Sequence, residues 1–166
     1  MARVKWLSAA EREAWVRFAA VLELLPGVLD AQLMRDEELT HFEYFTLAML
    51  SEAPTRTLRM TALAAQTNAT LPRLSRVVSR LEARGYVVRK PCPEDGRATN
   101  ATLTETGWEK VVRAAPGHVA TVRSYVIDAL SPDQVALLAD ISQRLLVNLD
   151  PTGRVFAPQQ AAAEGA

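Results

Sequence analysis

Residues 71–107 read LPRLSRVVSRLEARGYVVRKPCPEDGRATNATLTETG, and the placement of the arginines in this stretch suggests a definite chemistry. Leu74, Val77, Val78 and Leu81 recur at i, i+3, i+4 and i+7, so they form the apolar face of a helix. The opposite face carries Arg73, Ser75, Arg76, Ser79 and Arg80. Forked cations separated by small hydroxyls can reach base edges and phosphates without bulk in between. Further on, Arg89 and Lys90 end a β-rich run, and Arg97 follows Asp95 by two positions in a turn. Asp95 can hold that turn by bonding either the backbone or Arg97, with the arginine left at the tip. A tip arginine suits the negative potential of a narrow minor groove. Taken singly, each piece also fits an ordinary solvated helix face or a surface hairpin, whose ion pair is worth little in water. Together they present positive charge to a duplex from two sides, which is the work of a binding protein and not of an enzyme.

The elements that must hold these residues are legible from their ends. Thr70 can cap the arginine helix, Pro72 sits in its first turn where a missing N–H costs nothing, and Gly85 stands at the usual stop. Residues 86–90 read as a strand, 91–97 as turn chemistry and 98–103 as a returning strand, with Thr104 and Glu105 opening another helix. Upstream, residues 61–67 form a short helix and Asn68-Ala69 a turn, completing a helix-turn-helix, while Leu58-Arg59 can pair with the wing. Ser8-x-x-Glu11 and Thr40-x-x-Glu43 are capping boxes, the second opening a helix to about Ser51. Pro26-Gly27 predicts a kink or a split in the first helix. A long helix is expected from Thr104 to about Leu130, kinked at Pro116-Gly117. Ser131-Pro132-Asp133-Gln134 starts a last helix that runs to about Leu149. Residues 159–166 read as a loose tail, and no internal repeat is visible.

Three segments in order, LTHFEYFTLAML (39–50), LAAQTNATLPRLSRVVSRLEARGYVVR (63–89) and PEDGRATNATLTETG (93–107), resemble the MarR family of bacterial winged helix-turn-helix regulators. The last carries the family's Asp-x-Arg turn running into Leu-Thr-x-x-Gly. The resemblance covers roughly residues 8–150. It implies a mainly α fold: a winged helix-turn-helix core with a two-to-three-stranded wing, and N- and C-terminal dimerisation helices. Residues 1–150 would form a single protomer, with the core at about 40–107, dimerisation helices at 8–35 and 105–150, and a loose tail at 151–166. It further implies a homodimer on double-stranded DNA. Symmetry would set two recognition helices roughly 34 Å apart on a pseudo-palindromic operator. The apolar stripes Trp15, Phe18, Leu22 and Val135, Leu138, Leu145, Leu149 would supply the dimer contacts. The DNA-binding set expected on this reading is Thr70, Pro72, Arg73, Ser75, Arg76, Ser79 and Arg80 at the major groove, Asp95 and Arg97 at the minor groove, and Arg89 and Lys90 on phosphate. Members of the family are often repressors released by a small phenolic or lipophilic effector. Trp15, Phe18, His41 and Tyr44 are the residues that could line such a pocket, although core packing of Trp15 and Phe18 and a surface position for His41 at a helix start account for them better.

Composition fits but does not decide. The 166 residues carry 19 basic and 19 acidic side chains, a net charge of zero, where DNA-binding domains are often basic. The charge is unevenly spread. Between Arg56 and Gly107 nine basic residues stand against four acidic, leaving +5 in the middle of a neutral chain. No apolar run is long enough for a membrane span and no signal-peptide core opens the chain. The one cysteine, Cys92, cannot form an internal disulfide, which fits a reducing cytoplasm. Cys92 has no obvious resolving partner, so it reads as a bystander. The only histidines are His41 and His118, and no metal-ligand spacing, phosphate loop or nucleophile elbow accompanies them, so neither catalysis, metal nor cofactor is expected. The alternative reading is a winged helix used for protein contacts without sequence-specific DNA binding, which would have no need of Arg73, Arg76, Arg80 and Arg97 on one surface.

Overall fold

The computed structural model describes residues 4–93 and 95–155. Residues 159–166, read above as a loose tail, and Glu94 at the wing turn lie outside them. The chain forms six helices and a small sheet among the described residues: α1 (Ala9–Glu37), α2 (His41–Glu52), a 3-10 turn (Pro54–Arg56), β1 (Thr57–Arg59), α3 (Met60–Gln66), α4 (Leu71–Ala83), β2 (Val87–Cys92), β3 (Asp95–Leu103), α5 (Glu105–Val122), a π turn (Arg123–Ile127) and α6 (Pro132–Leu149). The three strands pair antiparallel in the order β1-β3-β2. This is the winged helix-turn-helix expected, flanked by long terminal helices.

Both expected capping boxes are present, and the Ser131 helix start forms a third. Ser8, Thr40 and Ser131 each accept from the backbone N–H three residues on, while Glu11, Glu43 and Gln134 reach back to the cap's own N–H. Neither proline splits its helix. α1 runs as one helix through Pro26-Gly27, and α5 runs through Pro116-Gly117. Each proline removes one ladder bond, but the helix on either side is fixed independently. In α1 the capping box holds the start, and Leu29, Gln32 and Leu33 are buried beyond Pro26. The irregularity in the long fifth helix comes later, at the π turn 123–127, which also shortens the helix expected to reach Leu130.

The core lies under α4. Leu74, Val78 and Leu81 are fully buried and Val77 nearly so, packed with Leu47, Leu50, Leu63, Val87 and Leu103. Each such side chain contributes about 1.5–3 kcal/mol on leaving water. The apolar stripe of α4 therefore fixes the helix's rotation and turns its arginines outward. Gly85 follows α4 at φ 76°, the left-handed stop that glycine adopts without strain. The Leu-Thr-x-x-Gly segment closes the wing onto this stop. Thr104 donates its hydroxyl to the Gly85 carbonyl (2.7 Å) and its N–H to the Tyr86 carbonyl (3.0 Å), and its oxygen accepts from Gly107 N–H (3.0 Å). A Cβ on Gly107 would lie 2.7 Å from Leu103 Cδ1 and closer still to the Tyr86 carbonyl oxygen, so only glycine fits there.

The terminal helices contrast with this core. No residue of α6 is buried, and Leu137, Leu138, Ile141, Leu145, Leu146, Val147 and Leu149 are exposed along it. The first half of α1 likewise exposes Trp15, Phe18, Leu22 and Leu24. Among the described residues no helix is long and apolar enough to cross a membrane.

Candidate nucleic-acid interface

The basic surface is assembled from α4, the end of β2 and the start of β3. Thr70 stands at the N-cap of α4 in extended conformation, but its side chain makes no cap bond, contrary to the expectation that it would. Pro72 lies in the first turn as expected. Arg73, Arg76, Ser79 and Arg80 are exposed on the face opposite the core, with Ser75 half-buried beside them. Ser79 Oγ donates to the Ser75 carbonyl (2.9 Å), which folds that hydroxyl back onto its own helix.

The wing is as tight as its turn chemistry implied. β2 and β3 pair from Val87↔Leu103 to Cys92↔Asp95, with Lys90 opposite Asn100 and an irregularity at Pro91/Cys92. Of the two roles open to Asp95, the structure has the backbone one: its Oδ1 accepts from Arg97 N–H at 3.1 Å. That bond shapes the tip and leaves the Arg97 side chain exposed. Between α4 and the wing lies a cleft of about 230 Å³ lined by Arg59, Thr61, Leu71, Ser75, Arg89, Arg97 and Thr99. Arg59, Thr61 and Thr99 were not singled out in the sequence. Arg59 enters the site because β1 pairs with β3, placing Arg59 opposite Asn100. The short β1 strand was the signal that could have pointed to it.

Two cations expected to face the duplex are engaged within the protein. Arg80 Nε donates to Glu43 Oε1 at 3.0 Å, and Glu43, on α2, is buried. Burial pushes the Glu43 carboxyl up, but bonds from Thr40 and Arg80 outweigh it and hold the group below its ordinary 4.5. Arg89 donates to Glu82 from Nε (3.0 Å), from a terminal nitrogen (2.6 Å) and from its backbone N–H (3.1 Å). Glu82, on α4, is held below its ordinary value chiefly by the Arg89 side chain. Arg73 lies over the Phe42 ring, 4.3 Å from its centroid. Arg76, Lys90 and Arg97 are exposed.

The four expected effector residues do not come together within one chain. His41 and Tyr44 meet His118 of α5, with ring centroids 6.0 Å apart for the histidines and 4.8 Å for Tyr44 and His118. The His41 backbone N–H donates to Asp30 of α1 (2.8 Å). Trp15 and Phe18 stand about 18–22 Å from Asp30 along the helix, at 1.5 Å per residue. The two histidines belong to separate helices, α2 and α5, and nothing in their spacing along the sequence shows that the α1–α2–α5 junction stacks them. Burial lowers both imidazoles below their ordinary 6.5; Asp30 opposes this at His41, and His41 reinforces it at His118. Cys92 is buried.

A helix-turn-helix with a wing beside it, each carrying exposed cations, defines a winged helix-turn-helix protein. A model of the MarR family matches residues 39–98. Sco3205 from Streptomyces coelicolor, a MarR family transcriptional regulator solved in complex with DNA, is 40% identical over 95% of this chain and 98% of its own, with a TM-score of 0.87. AbsC from Streptomyces coelicolor, another MarR family transcriptional regulator, is 34% identical over 90% of this chain and 100% of its own, at a TM-score of 0.84. CouR from Rhodococcus jostii RHA1, solved with p-coumaroyl-CoA, shares the fold at 22% identity and a TM-score of 0.72, over 89% of this chain and 98% of its own. The chain belongs to the MarR family of transcriptional regulators.

Proposed function

We propose that the protein binds a pseudo-palindromic operator as a homodimer, with α4 in the major groove and the wing tip in the adjacent minor groove. The observation that carries this reading is the exposure of Arg76 on α4 and of Lys90 and Arg97 on the wing beside it, in a chain 40% identical to a regulator solved on DNA. Arg73, in the first turn of α4, reads a base edge. Arg76 and Lys90 contact phosphate, and Arg97 enters the minor groove with Asp95 setting its turn. Dimerisation is supported by α6, none of whose residues is buried within its own chain and which exposes a full apolar stripe, and by the matching stripe on the first half of α1.

A dimer seated across an operator excludes other proteins from that stretch of duplex, so repression is the regulatory sign we infer. Release by a small phenolic or lipophilic effector rests on the aromatic and imidazole groups at the α1–α2–α5 junction, namely His41, Tyr44 and His118. Trp15 and Phe18 belong with the dimer stripe. The test is selection of binding sites from random duplex DNA, followed by light scattering of the complex. Enrichment of an inverted repeat bound by two chains supports the reading. Failure to enrich any sequence, with binding insensitive to salt, would leave a protein-interaction module instead.

A further inference from the structure

Resting on that reading, we infer that the first turn of α2 is a rack that sets the recognition helix, and that Arg80 works through Glu43 as a positioning residue instead of touching DNA. Arg73 and Arg80 are seven residues apart on α4 and so share one edge of the helix. Both land on adjacent residues of α2: Arg73 stacks on Phe42, and Arg80 donates to Glu43. These two contacts, with Thr40 and Asp30, flank a cleft of about 410 Å³ between the end of α1, the start of α2 and α4.

Glu43 is suited to this work. Its side chain is 7% exposed, whereas that of Arg80 is 57% exposed, so the carboxylate is the fixed member of the pair and the arginine the adjustable one. The second oxygen of Glu43 accepts from Thr40 N–H at 3.0 Å, which locks the carboxylate to the helix start. The same turn is tied to the dimer helix, because His41 N–H donates to Asp30 of α1. A continuous set of hydrogen bonds therefore runs from α1, through the first turn of α2, to the outward edge of α4. An arginine drawn onto a buried carboxylate brings little positive charge to a phosphate. It does restrict how α4 sits against α2, and an element held in its binding geometry loses less freedom on binding.

The two roles for Arg80 predict opposite results in Glu43→Gln. Glutamine at this position keeps the capping box, so α2 retains its start while the ion pair is lost. The measurement is anisotropy titration of full-length wild type, Glu43→Gln, Arg80→Gln and the double variant, on the duplex that wild type selects, across a salt series. A thermal melt of each variant confirms folding. For a positioning pair, either single variant binds about tenfold more weakly with an unchanged salt slope, and the double variant is no worse than the singles. Arg80→Gln leaves Glu43 and its cap untouched, so it carries the test if Glu43→Gln melts early. Tighter binding and a steeper slope in Glu43→Gln would overturn the inference, because Arg80 would then be a phosphate contact restrained by its partner. A flatter slope in Arg80→Gln would overturn it equally. Either result leaves the DNA reading standing; only a wild type without salt-dependent DNA binding removes both.

Discussion

Lys90→Ala tests the electrostatics of the interface most directly. With Arg80 on Glu43 and Arg89 on Glu82, the exposed cations that neutralise phosphate charge are Arg76 and Lys90 at the backbone and Arg97 in the minor groove of each protomer. Two protomers then neutralise about six phosphates, and at about 0.9 per phosphate the slope of log K against log salt is about −5.4. Between 50 and 200 mM salt, affinity should fall about 10³-fold. Lys90 stands within β2, opposite Asn100, and its side chain is exposed, so its loss should leave the fold unchanged. Lys90→Ala removes two contacts per dimer, which flattens the slope to about −3.6 and reduces the fall over the same range to about 10²-fold. The assay is anisotropy titration at five or so salt concentrations, on the selected operator and on a scrambled duplex. Both duplexes should weaken alike, since a phosphate contact carries no sequence information. An unchanged slope would refute the count of contacts, and a loss confined to the selected operator would reassign Lys90 to base readout.

Gly107→Ala should lower stability by about 2 kcal/mol or more, read as a drop in melting temperature, because a Cβ there meets the Tyr86 carbonyl and Leu103. Leu138→Glu with Leu145→Glu, two positions on the exposed α6 stripe, should convert a dimer to monomers in light scattering and abolish tight operator binding; a stable dimer would place the interface elsewhere. His41 and His118 are held below 6.5 by burial, so the unfolded chain binds protons that the folded one refuses, and stability rises with pH through the region below 6.5. Glu37, Glu43 and Glu82 are lowered from 4.5, so what they contribute is already complete above that pH and is lost only on further acidification. Melting temperature should therefore fall between pH 7.5 and 5.5, and His41→Gln with His118→Gln should flatten that fall; an undiminished fall in the double variant would exclude the histidines as its source.

Local signals survived translation into structure where they were self-contained. Each capping box pairs two residues three apart and needs no tertiary context, so Ser8, Thr40 and Ser131 start their helices as read. The period of Leu74, Val77, Val78 and Leu81 marks the buried side of α4 because one face of a helix meets one core. Pro26 and Pro116 do not split their helices, because breaking a helix is a competition. A single lost ladder bond does not separate two segments that are each held elsewhere, by Ser8 and Leu33 in α1, and in α5 by Thr104 before the proline and by the His118 ring contacts after it. Thr70 has the right residue type and backbone for a cap, yet no side-chain bond forms. Strand pairing within the wing was legible, but side-chain contacts between distant helices were hidden. Nothing in the spacing of Glu43 and Arg80, 37 residues apart, announces a hydrogen bond, and nothing in the separation of His41 and His118 announces a stack.

Those hidden contacts also explain how a chain with no net charge can present a basic surface. Charge counted along the sequence treats every acid as an equal subtraction from the field at the DNA. The folded chain does not, because its acids are placed where they hold something. Glu43 holds Arg80 from beneath, Glu82 ties α4 to β2 through Arg89, and Glu37 joins α1 to Lys110 (2.6 Å) and Arg113 (3.0 Å) of α5. Lys110 and Glu37 are both nearly buried, at 8% and 12% side-chain exposure, so that pair sits outside the exposed surface altogether. Arginines drawn to these carboxylates lose reach toward a duplex but stiffen the elements that carry the remaining cations. Arg76, Lys90 and Arg97 then stand on a recognition helix and a wing whose relative position is already set. A freely solvated basic face would have more charge and less geometry. Sequence discrimination depends on geometry, since phosphates offer the same charge at every position and base edges do not.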